Sequence, residues 1–225
     1  MDITAWLRAP TLAEVLDRGC TLHPFLRDRN ATREWADALV ALATEHGFPL
    51  WLTMGRAAQG WALADAGQSE EGLARIRRSV AEYRATGSTM LLPDLVALLA
   101  DVPGPAELAA TRLGLLDEAL DQVARTGGRW LEAELLRLRG ETLLRQGRRD
   151  GAGPQACFER AVAVAKEQGA KWWELRAARS LAGLWAERGE RRRALDLLAP
   201  VYAWFTEGLD TEDLRRAKGL LDALP

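Results

Sequence analysis

The residue types that usually carry catalysis are scarce in this chain. Its 225 residues include two histidines, His23 and His46, and two cysteines, Cys20 and Cys157. Nucleophilic catalysis needs a Ser or Cys beside a His that an acid orients, and no such grouping is visible in the sequence. The patterns HExxH, GxSxG, GxGxxG and GxxxxGK[ST] do not occur. His46 ends a helical stretch, where an imidazole favours the helix dipole. The cysteines lie far apart and outside any CxxC spacing, so neither a disulfide framework nor a zinc knuckle follows; both read as small buried hydrophobes. The sequence therefore implies no catalytic residue, no cofactor and no metal site.

Residues suited to recognition are more regularly placed. Glu134, Arg137, Glu141 and Arg145 recur at intervals of three, four and four, which puts them on one face of a helix. Leu131, Leu135 and Leu138 flank that face on one side, with Leu136, Gly140 and Leu143 on the other. Arg176 and Arg179 begin the equivalent stripe some forty residues on. Earlier in the chain the corresponding positions carry Met54, Trp61, Asp65, Asp94 and Asp101. Residues 128–193 hold 15 basic against 9 acidic side chains, although the whole chain is −2. Two readings fit: a solvated face laced by i,i+4 pairs, each contributing about 0.3–0.5 kcal/mol, or a dipolar surface for a partner of mixed charge. On the second reading, reversing Arg137 and Arg176 to Glu should abolish partner binding and leave folding intact.

The elements that position these residues are helices. The chain has 39 Ala and 38 Leu but only 9 Val and 2 Ile, a helical and not a sheet composition. Glycines close five similar phrases at 47, 87, 127, 169 and 208, at spacings of 40, 40, 42 and 39 residues. A second glycine, at 67, 147 or 189, divides three of the intervals. Each unit is thus helix, turn, helix, with the terminal glycine in the left-handed region that ends a helix. The expected pairs are 49–66 with 69–86, 89–101 with 105–126, 129–146 with 153–168 and 171–188 with 191–207. Residues 11–27 and 32–46 read as a shortened pair, and 211–223 as a closing helix. Pro103-Gly104-Pro105 cuts one helix short and predicts an irregularity there. Nine tryptophans are many for this length. Trp51, Trp130 and Trp172 or Trp173 recur at the repeat period, which indicates packing between units.

Small residues at the helix crossings, with large ones three or four later, resemble tetratricopeptide (TPR) repeats. Gly60, Leu63, Gly67, Gly72 and Ile76 fit the pattern, as do Ala182, Trp185, Gly189, Ala194 and Leu198. Gly140, Leu143, Gly147, Phe158 and Ala161 fit after an insertion around Gly151–Gly153. The phrases ALATEHGFPLW (41–51), LEAELLRLRGETLL (131–144), LRAARSLAGLW (175–185) and LLAPVYAWFTEGLDTEDL (197–214) are similar to the C-terminal TPR tail of large bacterial signalling proteins that carry an AAA-type ATPase or class III adenylate or guanylate cyclase domain. The resemblance spans about residues 22–223. No P-loop occurs here, so it implies the fold and the style of role without the ATPase or cyclase activity.

The implied fold is an all-α, right-handed TPR-like αα superhelix, a solenoid of about five helix pairs plus the C-terminal capping helix. It is read as one domain over 1–225, with units near 11–46, 48–87, 88–127, 128–169 and 170–208. In TPR stacks the first helix of each pair lines the concave side. That makes Trp61, Asp65, Asp94, Asp101, Glu134, Arg137, Glu141, Arg145, Arg176 and Arg179 the candidate groove. The implied role is a non-enzymatic interaction module or scaffold that binds a peptide, helix or partner domain, an ATPase or nucleotide cyclase among them. The alternative is a small-ligand sensor that regulates a separate ATPase, cyclase or transcription factor, with a pocket near Trp61 or Trp172–Trp173. Chaperone-docking TPRs share a Lys/Asn clamp, which this chain lacks: its one Asn is Asn30, and its three Lys are off the stripe. A sequence pI near 5.8 argues against nucleic acid, despite the cluster Arg188, Arg191, Arg192 and Arg193. No apolar run approaches the ~20 residues that span a bilayer, and no signal peptide is visible; a reducing cytoplasm is the expected compartment.

Overall fold

The computed structural model describes residues 3–147 and 152–224. Among these residues the chain forms eleven α-helices and no strand. They are α1 (Ile3–Phe25), α2 (Arg29–His46), α3 (Pro49–Asp65), α4 (Ser69–Ala85), α5 (Leu92–Asp101), α6 (Ala109–Thr126), α7 (Glu132–Arg145), α8 (Ala152–Glu167), α9 (Lys171–Glu187), α10 (Arg191–Ala203) and α11 (Glu212–Ala223). None of the described helices is long and apolar enough to cross a membrane.

All eight glycines that the repeat reading placed at helix ends have positive φ, from 64° to 92°. At Gly127 the left-handed turn lets the backbone N–H donate to Val123 O at 2.9 Å, which satisfies a carbonyl the helix end would otherwise leave open. The first pair differs from expectation. α1 and α2 are 23 and 18 residues long, not shortened. Arg27, with φ 59°, takes the place that glycine holds elsewhere. Asp28 then caps α2, its side chain accepting from the Ala31 N–H at 2.9 Å. α10 ends at Ala203, short of the expected 207. Pro200 lies inside it and removes a ladder hydrogen bond just before the end. α6 and α7 are each preceded by a short 3-10 turn, at Ala106–Leu108 and Arg129–Leu131, so both start later than expected. The insertion expected around Gly151–Gly153 lies partly outside the described residues.

The sequence treats the chain as one domain; the helices pack into two compact units, Met1–Pro105 and Ala106–Pro225. The boundary falls at Pro103-Gly104-Pro105, where the irregularity was expected. In the first unit α1 to α5 pack consecutively, and α3 also touches α1 and α5. In the second, α6 to α11 pack consecutively, and α9 also touches α7 and α11. Within each unit, then, odd-numbered helices meet one another as well as their neighbours in sequence. This packing is what a helical-repeat stack requires.

Close crossings occur where the small residues are. A Cβ on Gly60 would stand 2.8 Å from Gly72 O, so the backbones of α3 and α4 meet with no room for a side chain. On α7, a Cβ on Gly140 would land within the Phe158 ring of α8. Phe158 is buried in the second unit's core with Leu175, Leu181, Trp185, Leu198 and Leu214. Gly140→Leu should therefore overpack this crossing and cost about 1–3 kcal/mol or more. Urea denaturation would measure it, and unchanged stability would remove Gly140 from the contact.

Candidate functional site

A buried polar network runs across α7, α9 and α11 of the second unit. Glu134 and Arg137 stand three apart on α7, Arg176 comes from α9 and Asp213 from the first turn of α11. Glu134 is 0% exposed and receives two guanidinium groups. Arg137 donates from Nη2 to Oε1 at 2.8 Å and from Nε to Oε2 at 2.9 Å. Arg176 donates from Nη2 to Oε1 at 2.9 Å and from Nε to Oε2 at 3.3 Å. Its Nη1 turns the other way and donates to Asp213 Oδ2 at 2.9 Å, an atom that also accepts from Trp172 Nε1 at 2.8 Å. Ser180 closes the near end, donating to Glu141 Oε1 at 2.8 Å. Burial alone would push both carboxyls up, but Arg137 and Arg176 hold Glu134 below the ordinary carboxylate range, and Arg176 with the Trp172 indole does the same for Asp213.

Arg179 is the member left over. It follows Arg176 by one turn on α9, and its Nε is buried with no hydrogen-bond partner. It makes no ion pair with any described residue, although Asp213 and Glu141 act on it electrostatically. Burial first, then the neighbouring Arg137, push its pKa down to about 10. Beside it Glu141 is half-buried and Arg145 is exposed. Three guanidinium groups (Arg137, Arg176, Arg179) are thus set against three carboxylates (Glu134, Glu141, Asp213), and of the three only Arg179 is in no ion pair among the described residues. That arrangement can accept a carboxylate supplied from outside.

The first unit holds a smaller version. Arg27 forms a two-pronged ion pair with Asp101, Nη1 to Oδ2 at 2.6 Å and Nη2 to Oδ1 at 2.7 Å. Trp61 Nε1 donates to the same Asp101 Oδ2 at 2.9 Å. The guanidinium also lies 5.7 Å from the Trp61 ring centroid. In both units an indole and a guanidinium converge on one carboxylate about forty residues after the tryptophan.

These placements correct the open stripe expected from the sequence. Trp61, Asp94, Asp101, Glu134, Arg137 and Arg176 are buried. Only Asp65 and Arg145 are exposed, with Glu141 and Arg179 between. Helical spacing shows that residues share a face but not what covers it, and here packing among the odd-numbered helices closes over most of that face. Neither a solvated face nor a freely displayed one describes Glu134 and Arg137. Reversing Arg137 and Arg176 to Glu would crowd five carboxylates around the single cation Arg179, so folding would not survive it, contrary to expectation.

Arg27, Ser180 and Asp213 were not anticipated. A forty-residue offset from Trp61 or Trp172 would have picked out Asp101 and Asp213. Arg27 carries no comparable signal. The recurrent tryptophans do pack: Trp173 lies 6.3 Å from Trp130 and 5.8 Å from Trp172, centroid to centroid, although Trp130 keeps 43% of its surface exposed. In the late basic cluster, Arg188 donates to Gln155, Arg192 to Asp196 and Arg193 to Glu190, while Arg193 lies 3.8 Å over the Trp185 ring. Among the described residues no group of three or more His, Cys, Asp and Glu is placed to hold a metal ion.

No protein-family model matches the chain, and no curated protein matches it.

Proposed function

We propose that the chain is a non-enzymatic, TPR-like interaction module of a bacterial signalling or regulatory assembly, which takes an acidic side chain of a partner peptide, helix or domain at Arg179. The resemblance to the tails of ATPase and cyclase signalling proteins suggests such a protein as the partner. One observation carries the reading: a largely buried guanidinium, its Nε without a hydrogen-bond partner and in no ion pair among the described residues, held beside a fully paired network. A buried cation left unpaired is costly, and an incoming carboxylate removes that cost. Glu134, Asp213 and Ser180 fix the surrounding side chains in advance, which reduces the ordering needed on association. Glu141 and Arg145 at the edge add charge selectivity for a partner of mixed sign.

The test is Arg179→Gln. Removing an unpaired cation should leave thermal stability unchanged or raised. Affinity capture from the source cells should recover partners with the wild-type chain and lose them with the variant. Retention of the same partners by a folded Arg179→Gln chain would refute the proposal.

A further inference from the structure

The first unit contains a cleft of about 450 Å³ where the first turns of α2, the C-terminal half of α3 and the start of α4 come together. Arg29, Asn30 and Arg33 form one wall; Gln59, Gln68 and Arg75 form the other; Ala62 and Leu63 give it an apolar floor. We infer that this cleft binds a small organic oxyanion, a phosphomonoester or carboxylate whose apolar body rests on Ala62 and Leu63.

The two walls differ in their engagement. Arg75 Nη1 donates to Gln59 Oε1 at 3.2 Å, and Gln59 Nε2 donates to Asp37 Oδ1 at 2.7 Å. That chain orders the α3–α4 wall and occupies one oxygen of Asp37, the acidic side chain in the lining. Arg29 and Arg33 make no ion pair or hydrogen bond with any described residue. They stand one turn apart on the same face of α2, a like-charge spacing that destabilises a helix. They also sit near its N-terminal end, where cations are disfavoured, just after the capping carboxylate of Asp28. A like-charge pair kept at the mouth of a cavity is a mark of a site. Of the three guanidinium groups in the lining, Arg75 also pairs with Glu71 at 3.5 Å, which leaves Arg29 and Arg33 against the one carboxylate of the lining. Guanidinium pairs grip the planar edge of a carboxylate or two oxygens of a phosphate. The volume lies in the range that holds one small molecule. This site and Arg179 belong to different units, and neither proposal depends on the other.

Phenyl phosphate, benzoate and benzyl alcohol share one apolar body and differ in the charged group. Calorimetric titration of the full chain should show saturable binding of phenyl phosphate, benzoate or both, and none of benzyl alcohol. The stronger of the two anions identifies the oxyanion class. In the double variant Arg29→Gln/Arg33→Gln, which removes a like-charge repulsion and should fold at least as stably, that binding should weaken by about tenfold to a hundredfold, the loss typical of charge-assisted hydrogen bonds. The inference is overturned if neither anion binds, if benzyl alcohol binds as well as they do, or if the double variant binds unchanged.

Discussion

Replacing Glu134 with alanine should destabilise the Ala106–Pro225 unit by about 3–5 kcal/mol, because it takes from two buried guanidinium groups the carboxylate they share. Arg137 and Arg176 are 4% and 1% exposed, so water cannot take over the contacts the carboxylate makes. The loss exceeds what either ion pair contributes by itself; most of it is the cost of leaving two buried cations with one carboxylate each, Glu141 for Arg137 and Asp213 for Arg176, and their other donors unmet. Glu134→Gln keeps the volume and one acceptor and should cost less than the alanine variant. Asp196→Ala is the contrast. Its partner Arg192 is 84% exposed, and such a pair contributes only about 0–1 kcal/mol. Urea denaturation of the three variants at neutral pH would measure the order. Equal midpoints for Glu134→Ala and wild type would show that the network does not hold the unit together. The pH dependence follows from the sign of the shift. Glu134 is held below its ordinary 4.5, so its contribution is present at neutral pH and is lost only as the pH falls through its lowered pKa.

The Met1–Pro105 unit should respond to pH in the opposite sense over a different window. Asp17 on α1 and Asp94 on α5 are 1% and 4% exposed, and one oxygen of each is buried without a hydrogen-bond partner. Burial raises both, and the charge of Asp17 raises Asp94 further, against a smaller opposing pull from Arg18. Asp17 reaches about 6 and Asp94 about 7, from 3.8. Glu14 adds to the repulsion on Asp17, and the Cys20 thiol beside it is pushed up by burial and stays neutral. Folding therefore takes up protons here. The two carboxyls cost nothing below 3.8, and the penalty grows as pH rises to about 7. For Asp94 alone it is on the order of 4 kcal/mol, and because the two carboxyls interact their penalties do not simply add. Asp94→Asn should thus stabilise the protein at neutral pH and flatten the fall in stability, as read by urea unfolding at about pH 4.5 and 7.5. An Asp94→Asn variant less stable than wild type at the higher pH, or an unchanged slope, would contradict this account.

How far the sequence carries can be seen residue by residue. The glycines at 47, 67, 87, 127, 147, 169, 189 and 208 end helices because backbone chemistry acts locally: a left-handed turn needs a residue without a Cβ penalty. Gly60, Gly72 and Gly140 were legible as crossings because they recur in phase with large residues. Arg27 escaped notice because arginine seldom takes positive φ, and its side chain is held by Asp101, 74 residues away. The candidate site was legible only as a pattern. The intervals of three, four and four on α7 correctly predicted that Glu134, Arg137 and Glu141 share a face, and both the Glu134–Arg137 and Arg137–Glu141 pairs form. They could not show that Arg176 from α9 would occupy the second edge of Glu134, or that Asp213 from α11 would hold Arg176 in place.

By itself, then, the sequence determined a helical chain, its turn positions, its period near forty residues and the places where helices must touch. All of these depend on residues within one or two turns of each other, or on volumes that repeat. Tertiary structure alone decided which polar residues are buried, which charges are neutralised and which are left over. Burial and ion pairing depend on what a third helix brings to a face, and that residue lies about forty positions away with no local trace. Arg176 and Arg179 stand one turn apart on the same helix. One is locked between two carboxylates and the other is in no ion pair among the described residues, and only the packing of α7, α9 and α11 distinguishes them.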